Sequence, residues 1–524
     1  MNEREQKNGF ACLQLPDEPG LECLRSRWDL ESWPLETRNL VFWDTFEWGV
    51  WFGGYLLYSC ENLYQLTERL ERWPGKPLYE EAAPESRRFW QEFETGPLRK
   101  ALRDLLGLRG LTAVAEGSFR RQLHDLRNEA GKVICRLELR SVSELKPEKM
   151  LLQVCQVLPL RGYETEAREV TACLTGAGAA PCEQNPVDLL LQKSGNLPHR
   201  YTLRPDFGLE KATPAREAIG TIVRTMLAVV HANLPGILHD LDTEFLHDYR
   251  ICLRKIRSLL SLVKGVYPAA DIQQIRATLG DLARQTNRLR DLDVYLLARE
   301  EYLGLVPPVF RPALSSMFDD FLTERETEVR NVIALHASSA FQQLLHEVSE
   351  FFAEEISHST SPAAELPVGP LVFARIYRRY RKICKIAAGI TVSTPDAGIH
   401  QLRIECKKLR YLMEFFNELI PGDVPTLLQK QLRRLQGRLG EFNDASVQQS
   451  SLLDYRERHT PGPEVALGLG GLISILYQRQ QQSRTLIGQS LDEFCSASTA
   501  AIFKRTFNIP ASLIKTDHYR QADQ

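Results

Sequence analysis

The segment His400-Gln-Leu-Arg403-Ile-Glu405-Cys-Lys407-Lys408-Leu-Arg410-Tyr-Leu-Met413-Glu414-Phe-Phe416 reads as one amphipathic helix. Each residue of an α-helix advances roughly 100°, so His400, Arg403, Lys407 and Arg410 fall within an arc of about 80° and form a basic stripe. Leu402, Cys406, Leu409, Met413 and Phe416 take the opposite side, which is the face to bury. Glu405 points away from the stripe. Glu414 lies near it, one turn from Arg410, and suits an ion pair there.

The stripe occurs twice. In His247-Asp-Tyr-Arg250-Ile-Cys-Leu-Arg254-Lys255-Ile-Arg257, an offset of 153 residues puts His247 on His400, Arg250 on Arg403, Arg254 on Lys407 and Arg257 on Arg410. Without a gap, the same offset puts Leu279 on Leu432, Leu282 on Leu435 and Asp291 on Asp444. Such a match implies duplication of a helical unit. One basic helix face is ordinarily a solvated face. Two equivalent ones in a pseudo-symmetric bundle can turn towards a shared groove.

The 524 residues are too many for one core, and 43% hydrophobic with 25% charged residues is ordinary for a globular protein. A net charge of −2 excludes a global basic field, so any anion site is a local concentration of Lys and Arg. The eleven cysteines are spread singly, with no metal-ligand spacing, as expected of thiols in a reducing compartment. The polar Met1–Lys7 segment lacks an apolar signal core, and the uncharged run from Val465 to Tyr477 is too short to span a bilayer. The expectation is a cytoplasmic protein without a membrane segment.

Residues 1–205 have strand character. Candidate strands are Phe10–Leu15, Asn39–Asp44, Tyr55–Cys60, Thr112–Leu126, Lys132–Arg140 and Leu151–Leu160, with short helices at Pro84–Glu94 and Pro97–Leu106. A mostly antiparallel, barrel-like sheet with added helices follows. Residues 213–515 read as helices alone, in two repeat halves of about 215–356 and 368–510. The expected helices include Ala215–Leu234, ended by Pro235-Gly236, and Thr243–Val266, capped by Thr243. Ile272–Glu301, Thr426–Gly440, Asp444–Glu457 and Pro463–Phe494 follow. The overall class is α+β in two domains. Further basic residues cluster at Arg378 and Lys382 on one helix and at Arg434 on another.

With these residues in view, a family resemblance emerges. His247 to Arg257 and His400 to Tyr411 resemble the two signature helices of the CHAD domain, the conserved-histidine α-helical domain. Leu289-Arg-Asp-Leu-Asp-Val294 and Leu435-Gln-Gly-Arg-Leu-Gly-Glu-Phe-Asn-Asp-Ala445 resemble its other two motifs, and the likeness covers roughly 213–510. The resemblance implies a pseudo-two-fold helical bundle whose basic groove binds inorganic polyphosphate. It would bind through His247, Arg250, Arg254, Arg257, His400, Arg403, Lys407 and Arg410, with no metal or cofactor. Arg378, Lys382 and Arg434 join them from charge clustering. The physics agrees: polyphosphate offers charge and no aromatic surface, and arginine's planar fork suits its oxygens. Ligand contact and a local structural role both remain open for the two histidines. Asp291, Asn443 and Asp444 are expected to cap helices or orient basic groups.

The N-terminal half resembles in layout the usual companion of that domain, the CYTH or triphosphate tunnel fold, through Leu15-Pro16, Leu40-Val-Phe-Trp-Asp-Thr45 and a hairpin near Gly131. Active members carry E-x-E-x-K on the first strand, where this chain has Asn8, Phe10 and Cys12. A literal Glu3-Arg-Glu5-Gln-Lys7 lies five residues too early. The tunnel is therefore expected to have lost its chemistry, with Arg120, Arg121 and Arg136 as remaining candidate channel residues. Three functions stand at this point. The first is non-covalent polyphosphate binding, with association with polyphosphate granules. The second is an Mg²⁺- or Mn²⁺-dependent triphosphatase acting through the N-terminal domain. The third is binding of another polyanion such as RNA, disfavoured by the few aromatics on the stripes.

Overall fold

In a computed structural model the chain divides into two compact units, Met1–Tyr201 and Thr202–Gln524. The structure describes residues 12–509 apart from 17–20, 70–75, 84, 146–148, 183, 354–360, 362 and 392.

The first unit is built on ten antiparallel strands: β1 (Cys12–Gln14), β2 (Asp29–Ser32), β3 (Glu36–Thr45), β4 (Tyr55–Cys60), β5 (Leu63–Glu68), β6 (Tyr79–Ala82), β7 (Leu111–Arg127), β8 (Val133–Glu144), β9 (Met150–Pro159) and β10 (Ala180–Pro181). Their order is β10-β1-β9-β8-β7-β3-β4-β5-β6, with β2 also on β7. The sheet is open, which corrects the expected barrel. Closure would need its two edges to pair, yet these are strands of four and two residues, and Pro181 has no N–H to offer. Helices cover the faces instead. Glu164–Gly176 lies over Leu137, Cys155 and Val157, and Pro186–Lys193 over Phe119, Val142 and Val154. A Cβ on Gly117 would stand 2.6 Å from the Leu190 side chain, so the bare backbone there lets the second of these helices lie close to β7. Pro97–Leu106 is a helix as expected, whereas among the described residues of 84–94 only the short 3₁₀ turn Trp90–Glu92 forms.

The second unit is helical. Ala215–Leu238, Thr243–Leu262, Ala269–Arg284, Asn287–Leu297, Arg299–Leu305, Arg311–Ala337 and Ser339–Phe351 come first. Val368–Ala387, Asp396–Phe415, Val424–His459, Pro463–Phe494 and Ala497–Phe507 follow. Thr243–Leu262 and Asp396–Phe415, the two striped helices, stand at the 153-residue offset at both ends. Ala215 N–H donates to Leu366 O at 2.8 Å and Val368 N–H to Thr213 O at 2.9 Å, so Pro214 and Pro367, themselves 153 apart, face each other. Reciprocal contacts between equivalent positions are what a local two-fold axis produces.

Several helix boundaries differ from expectation. Ala215–Leu238 runs through Pro235, and the cap of the next helix is Asp242, whose carboxylate accepts from Glu244 N–H at 2.9 Å. The stretch 272–301 is broken at Gln285–Thr286 and again at Ala298. Conversely, 424–459 is one helix of 36 residues, continuous through Gly440. A glycine inside a helix costs only about 1 kcal/mol. Leu439, Phe442 and Ala445 are buried on either side of it, which outweighs that cost.

Ala215–Leu238 is also apolar and long enough to cross a bilayer, at a mean hydropathy of 1.3. Here Ile219, Ile222, Val223, Met226 and Val230 are packed into the bundle.

Candidate anion-binding site

The buried face of the second striped helix is complete: Leu402, Cys406, Leu409, Met413 and Phe416 are all fully inaccessible. That fixes the rotation of the helix and turns Arg403, Lys407 and Arg410 outward together. They line a cleft of about 290 Å³, opposite Arg433, Gln436 and Gly437 of the long helix Val424–His459. Gln436 Nε2 donates to Cys406 O at 2.7 Å and holds the two helices in register.

The cleft is short of negative charge. Arg403 Nη2 meets Asp444 Oδ1 at 3.2 Å, and Arg410 Nε lies 3.7 Å from Glu414 Oε1. The buried Nε atoms of Arg403 and Arg410 have no hydrogen-bond partner among the described residues. The Lys407 ammonium is pushed down to about 8, first by burial and then by repulsion from Arg403, Arg254 and Arg410, with Asp444 opposing. Arg403 is lowered by burial too, with Asp444 opposing and Arg254 adding repulsion. Arg254 belongs to the other striped helix, which packs against this one. Arg254 thus adds its charge to the field at Arg403 and Lys407.

The rest of the first stripe is engaged differently. Arg250 donates to Ala283 O at 2.6 Å, Thr286 Oγ1 at 2.7 Å and Asn287 Oδ1 at 2.8 Å, closing the helix break at Gln285–Thr286. Arg257 lies over Gly280, where a Cβ would stand 3.1 Å from its guanidinium. His247 stands with Glu244 and Asp248, their ligand atoms within 4.8 Å of one another, surroundings that suit a cation better than a phosphate. His400 is exposed and donates from Nδ1 to Asn443 Oδ1 at 2.7 Å, which leaves Nε2 unused by that bond.

This duplicated arrangement, with its striped helices and its Asn443–Asp444 pair beside the stripe, matches the family model of the CHAD domain over residues 221–453. Those residues are a CHAD domain. Among solved structures, the chain is similar to the crystal structure of the CHAD domain from the plant Ricinus communis. The identity is 20% and the TM-score 0.47, over 56% of this chain and 96% of that one. It is also similar to PptA from Streptomyces chartreusis, with 18% identity and a TM-score of 0.41 over 53% of this chain and 99% of that one. No curated protein matches it.

Within the CHAD domain, three residues chosen from charge alone lie elsewhere. Lys382 reaches Glu405 Oε1 at 3.2 Å, beside Arg379 and Lys408. Burial by itself would raise the Glu405 carboxyl, but the hydrogen bond from Arg379 and the surrounding cations bring it below its ordinary value. Arg434 pairs with Glu493 at 2.7 Å on the surface, and Arg378 is exposed on Val368–Ala387, outside the cleft lining. Arg433, one residue before Arg434, is the one that enters the lining. Its signal in the sequence is Gly437 one turn later, which removes the side chain that would otherwise cover the stripe. Asn443 and Asp444 cap nothing, because they sit inside a continuous helix, and they orient His400 and Arg403 instead. Asp291 likewise sits within Asn287–Leu297, in the field of Arg250.

In the N-terminal unit, Asp44 is buried and accepts from the N–H groups of Thr45, Val50 and Trp51 at 2.7, 2.9 and 2.9 Å. Burial outweighs those bonds and pushes its carboxyl up to about 6. It organises the turn into Gly49–Phe52. Arg121 and Arg140 share Glu138, and Arg136 pairs with Asp125 at 2.7 Å. The expected tunnel positions Asn8 and Phe10, and the Glu3, Glu5 and Lys7 set, lie outside the described residues. Cys12 begins β1.

Proposed function

We propose that the CHAD domain binds inorganic polyphosphate without covalent chemistry, in the cleft between Asp396–Phe415 and Val424–His459. The observation that carries this reading is the gathering of Arg403, Lys407, Arg410 and Arg433 around one cleft, with Arg254 adding its charge to the field there and only Asp444 and Glu414 as flanking carboxylates. Like charges held this close favour an anion between them. Polyphosphate supplies many oxygens per unit length and asks for no stacking surface. None of the six lining residues is aromatic, and Tyr411 beside Arg410 is buried, so a single-stranded RNA would find no platform for its bases.

The N-terminal sheet fits this reading as a relative of the triphosphate-tunnel fold without hydrolysis. On the β7–β8 face Arg121, Arg136 and Arg140 are set against Glu138, Asp125 and, from β3, Glu36, which leaves little net charge for a triphosphate. Such a chain would work in the cytoplasm and gather on polyphosphate granules, which imaging a fluorescent fusion in cells with and without polyphosphate would test.

The decisive experiment is binding of long-chain polyphosphate by the full chain over a salt series, beside Arg254→Ala/Lys407→Ala. Tight binding that weakens steeply with salt and is lost in the double variant supports the reading. Binding that survives the double variant unchanged, or that RNA displaces at equal phosphate concentration, overturns it. Release of phosphate from tripolyphosphate with Mg²⁺ would instead restore the enzymatic alternative.

A further inference from the structure

The 153-residue offset extends to the residues opposite the stripes. It puts Gly280 on Arg433, Ala283 on Gln436, Arg284 on Gly437 and Asn287 on Gly440. In the first half these positions are closed. The Arg257 guanidinium lies over Gly280, Ala283 O and Asn287 Oδ1 take up Arg250, and Arg284 is ion-paired with Asp281. In the second half Gln436 is taken up by Cys406 O and Arg433 Nε by Gln429 O, but positions 437 and 440 are open. A Cβ on Gly437 or on Gly440 would meet nothing within 4 Å, and neither glycine has a left-handed backbone that would demand it. Packing and conformation therefore do not account for either glycine. Gly437 lines the cleft, and its bareness leaves the Arg403–Lys407–Arg410 stripe uncovered there, with Arg433 on the far side.

We infer that the second half alone forms a seat for one phosphate group bearing three free oxygens, the end group of a polyphosphate chain or of a short inorganic phosphate, and that Arg433 selects it. This rests on the polyphosphate reading above. An internal phosphate of the polymer has two free oxygens and one charge. An end group has a third free oxygen and a second charge that ionises with a pKa of about 6, as in other phosphate monoesters. Cations on two facing helices can meet its three oxygens and second charge from both sides. In the first half Arg250 is taken up by the protein and side chains stand at Arg284 and Asn287 where the second half has glycines, so that half contributes the charge of Arg254 to the seat. The chain is thus gripped at either one of its two identical ends.

The test uses the full chain, sodium tripolyphosphate, and polyphosphates of several defined lengths, with Arg433→Ala, Gly437→Gln and Arg284→Ala as variants. Arg433 and Gly437 are exposed, so these substitutions should leave folding intact, which thermal melting verifies. Tripolyphosphate should compete with long-chain polyphosphate, and competition among lengths should follow the number of chains and not total phosphate. Arg433→Ala and Gly437→Gln should each weaken tripolyphosphate at least tenfold, and Arg284→Ala less than twofold. Long-chain binding without competition by tripolyphosphate, competition that follows total phosphate, or an unchanged Arg433→Ala overturns the inference and leaves polyphosphate binding standing. Tripolyphosphate binding that depends on Arg433, without long-chain binding, supports the seat and assigns it to free short phosphates. If neither probe binds, both readings fall.

Discussion

The two halves of the helical unit share striped helices of identical length and offset but differ where those helices meet their neighbours. In the first half the facing helix breaks at Gln285–Thr286, and Arg250 is drawn in to bind the carbonyl and side chains that the break exposes. In the second half the facing helix runs on, no carbonyl is freed, and the equivalent Arg403 pairs with Asp444 through Nη2 while its buried Nε has no hydrogen-bond partner among the described residues. A second difference lies on the buried side. Glu405, fully inaccessible among Arg379, Lys382 and Lys408, stands where the first half has Cys252, and Arg379 stands where it has Met226. Duplication supplied one scaffold twice. In one copy the arginine binds the broken helix, and in the other it lines the cleft beside Asp444.

The buried charge offers the largest test of that comparison. Glu405→Ala leaves three cations around an empty position and should cost about 3–5 kcal/mol of stability, read by chemical denaturation. Importing the first half's solution, Glu405→Cys with Arg379→Met, should recover most of that loss, because an apolar pair replaces a buried ion pair at little net cost. If the double variant is as unstable as Glu405→Ala, the two halves are not interchangeable at this level.

Next in size is the exchange of roles between Arg250 and Arg403. Arg250→Ala strands Ala283 O and two side chains and should destabilise by about 2–3 kcal/mol, with a small effect on polyphosphate affinity. Arg403→Ala should do the reverse. Its melting curve should stay close to that of the parent, while affinity falls by roughly ten- to a hundredfold, the size of a lost hydrogen bond to a charged group. Equal losses in both measurements for both variants would mean that the break at Gln285–Thr286 has no bearing on function.

How much of this was open to the sequence follows from what each feature depends on. The stripe at 400–416 was legible because the burial of Leu402, Cys406, Leu409, Met413 and Phe416 follows from helical period alone. The N-terminal strands with strong alternation were legible as well. Asp29–Ser32 and Tyr79–Ala82 were not, since they carry acids and become strands only by pairing with β7 and β5. The openness of the sheet depends on its two edges, far apart in sequence, and no local pattern encodes it. The choice between Arg433 and Arg434 was invisible to a count of charges, because both are exposed on one helix. Reading Gly440 as a break also moved Asn443 and Asp444 to a helix end they do not occupy.

A smaller effect separates Lys407 from its counterpart Arg254. The Lys407 ammonium sits at about 8, below its ordinary 10.5, so the folded chain holds that proton less firmly than the unfolded one. Its charge therefore opposes folding most fully below pH 8, and the opposition fades as pH rises towards 10.5. Anion binding works in the other direction, because it needs the charged form. Polyphosphate affinity should fall above pH 8, by at most about tenfold per unit, with net proton uptake on binding. Lys407→Arg makes the second stripe like the first and should flatten that fall, since arginine stays charged. Calorimetry in buffers of different ionisation enthalpy reads the proton uptake, and its absence at pH 8.5 would place Lys407 outside the site.

The smallest effect concerns the two glycines, and it has opposite signs for folding and for binding. A glycine in a helix interior is less favourable than alanine by about 0.5–1 kcal/mol, because its backbone loses more freedom on folding. Gly437 and Gly440 stand in such an interior, with nothing within 4 Å of where a methyl group would go. Gly437→Ala and Gly440→Ala should therefore each stabilise the chain by up to about 1 kcal/mol, with no packing penalty to subtract. If the glycines serve the cleft, the same changes should weaken polyphosphate binding slightly, and a larger residue at 437 should weaken it more. At the equivalent positions of the first half, Arg284 and Asn287 already carry side chains, and replacing either with glycine should lower stability without creating affinity there. A gain in stability at 437 with no loss of binding for any size of side chain would show that the cleft is not where the anion sits, however open the structure leaves it.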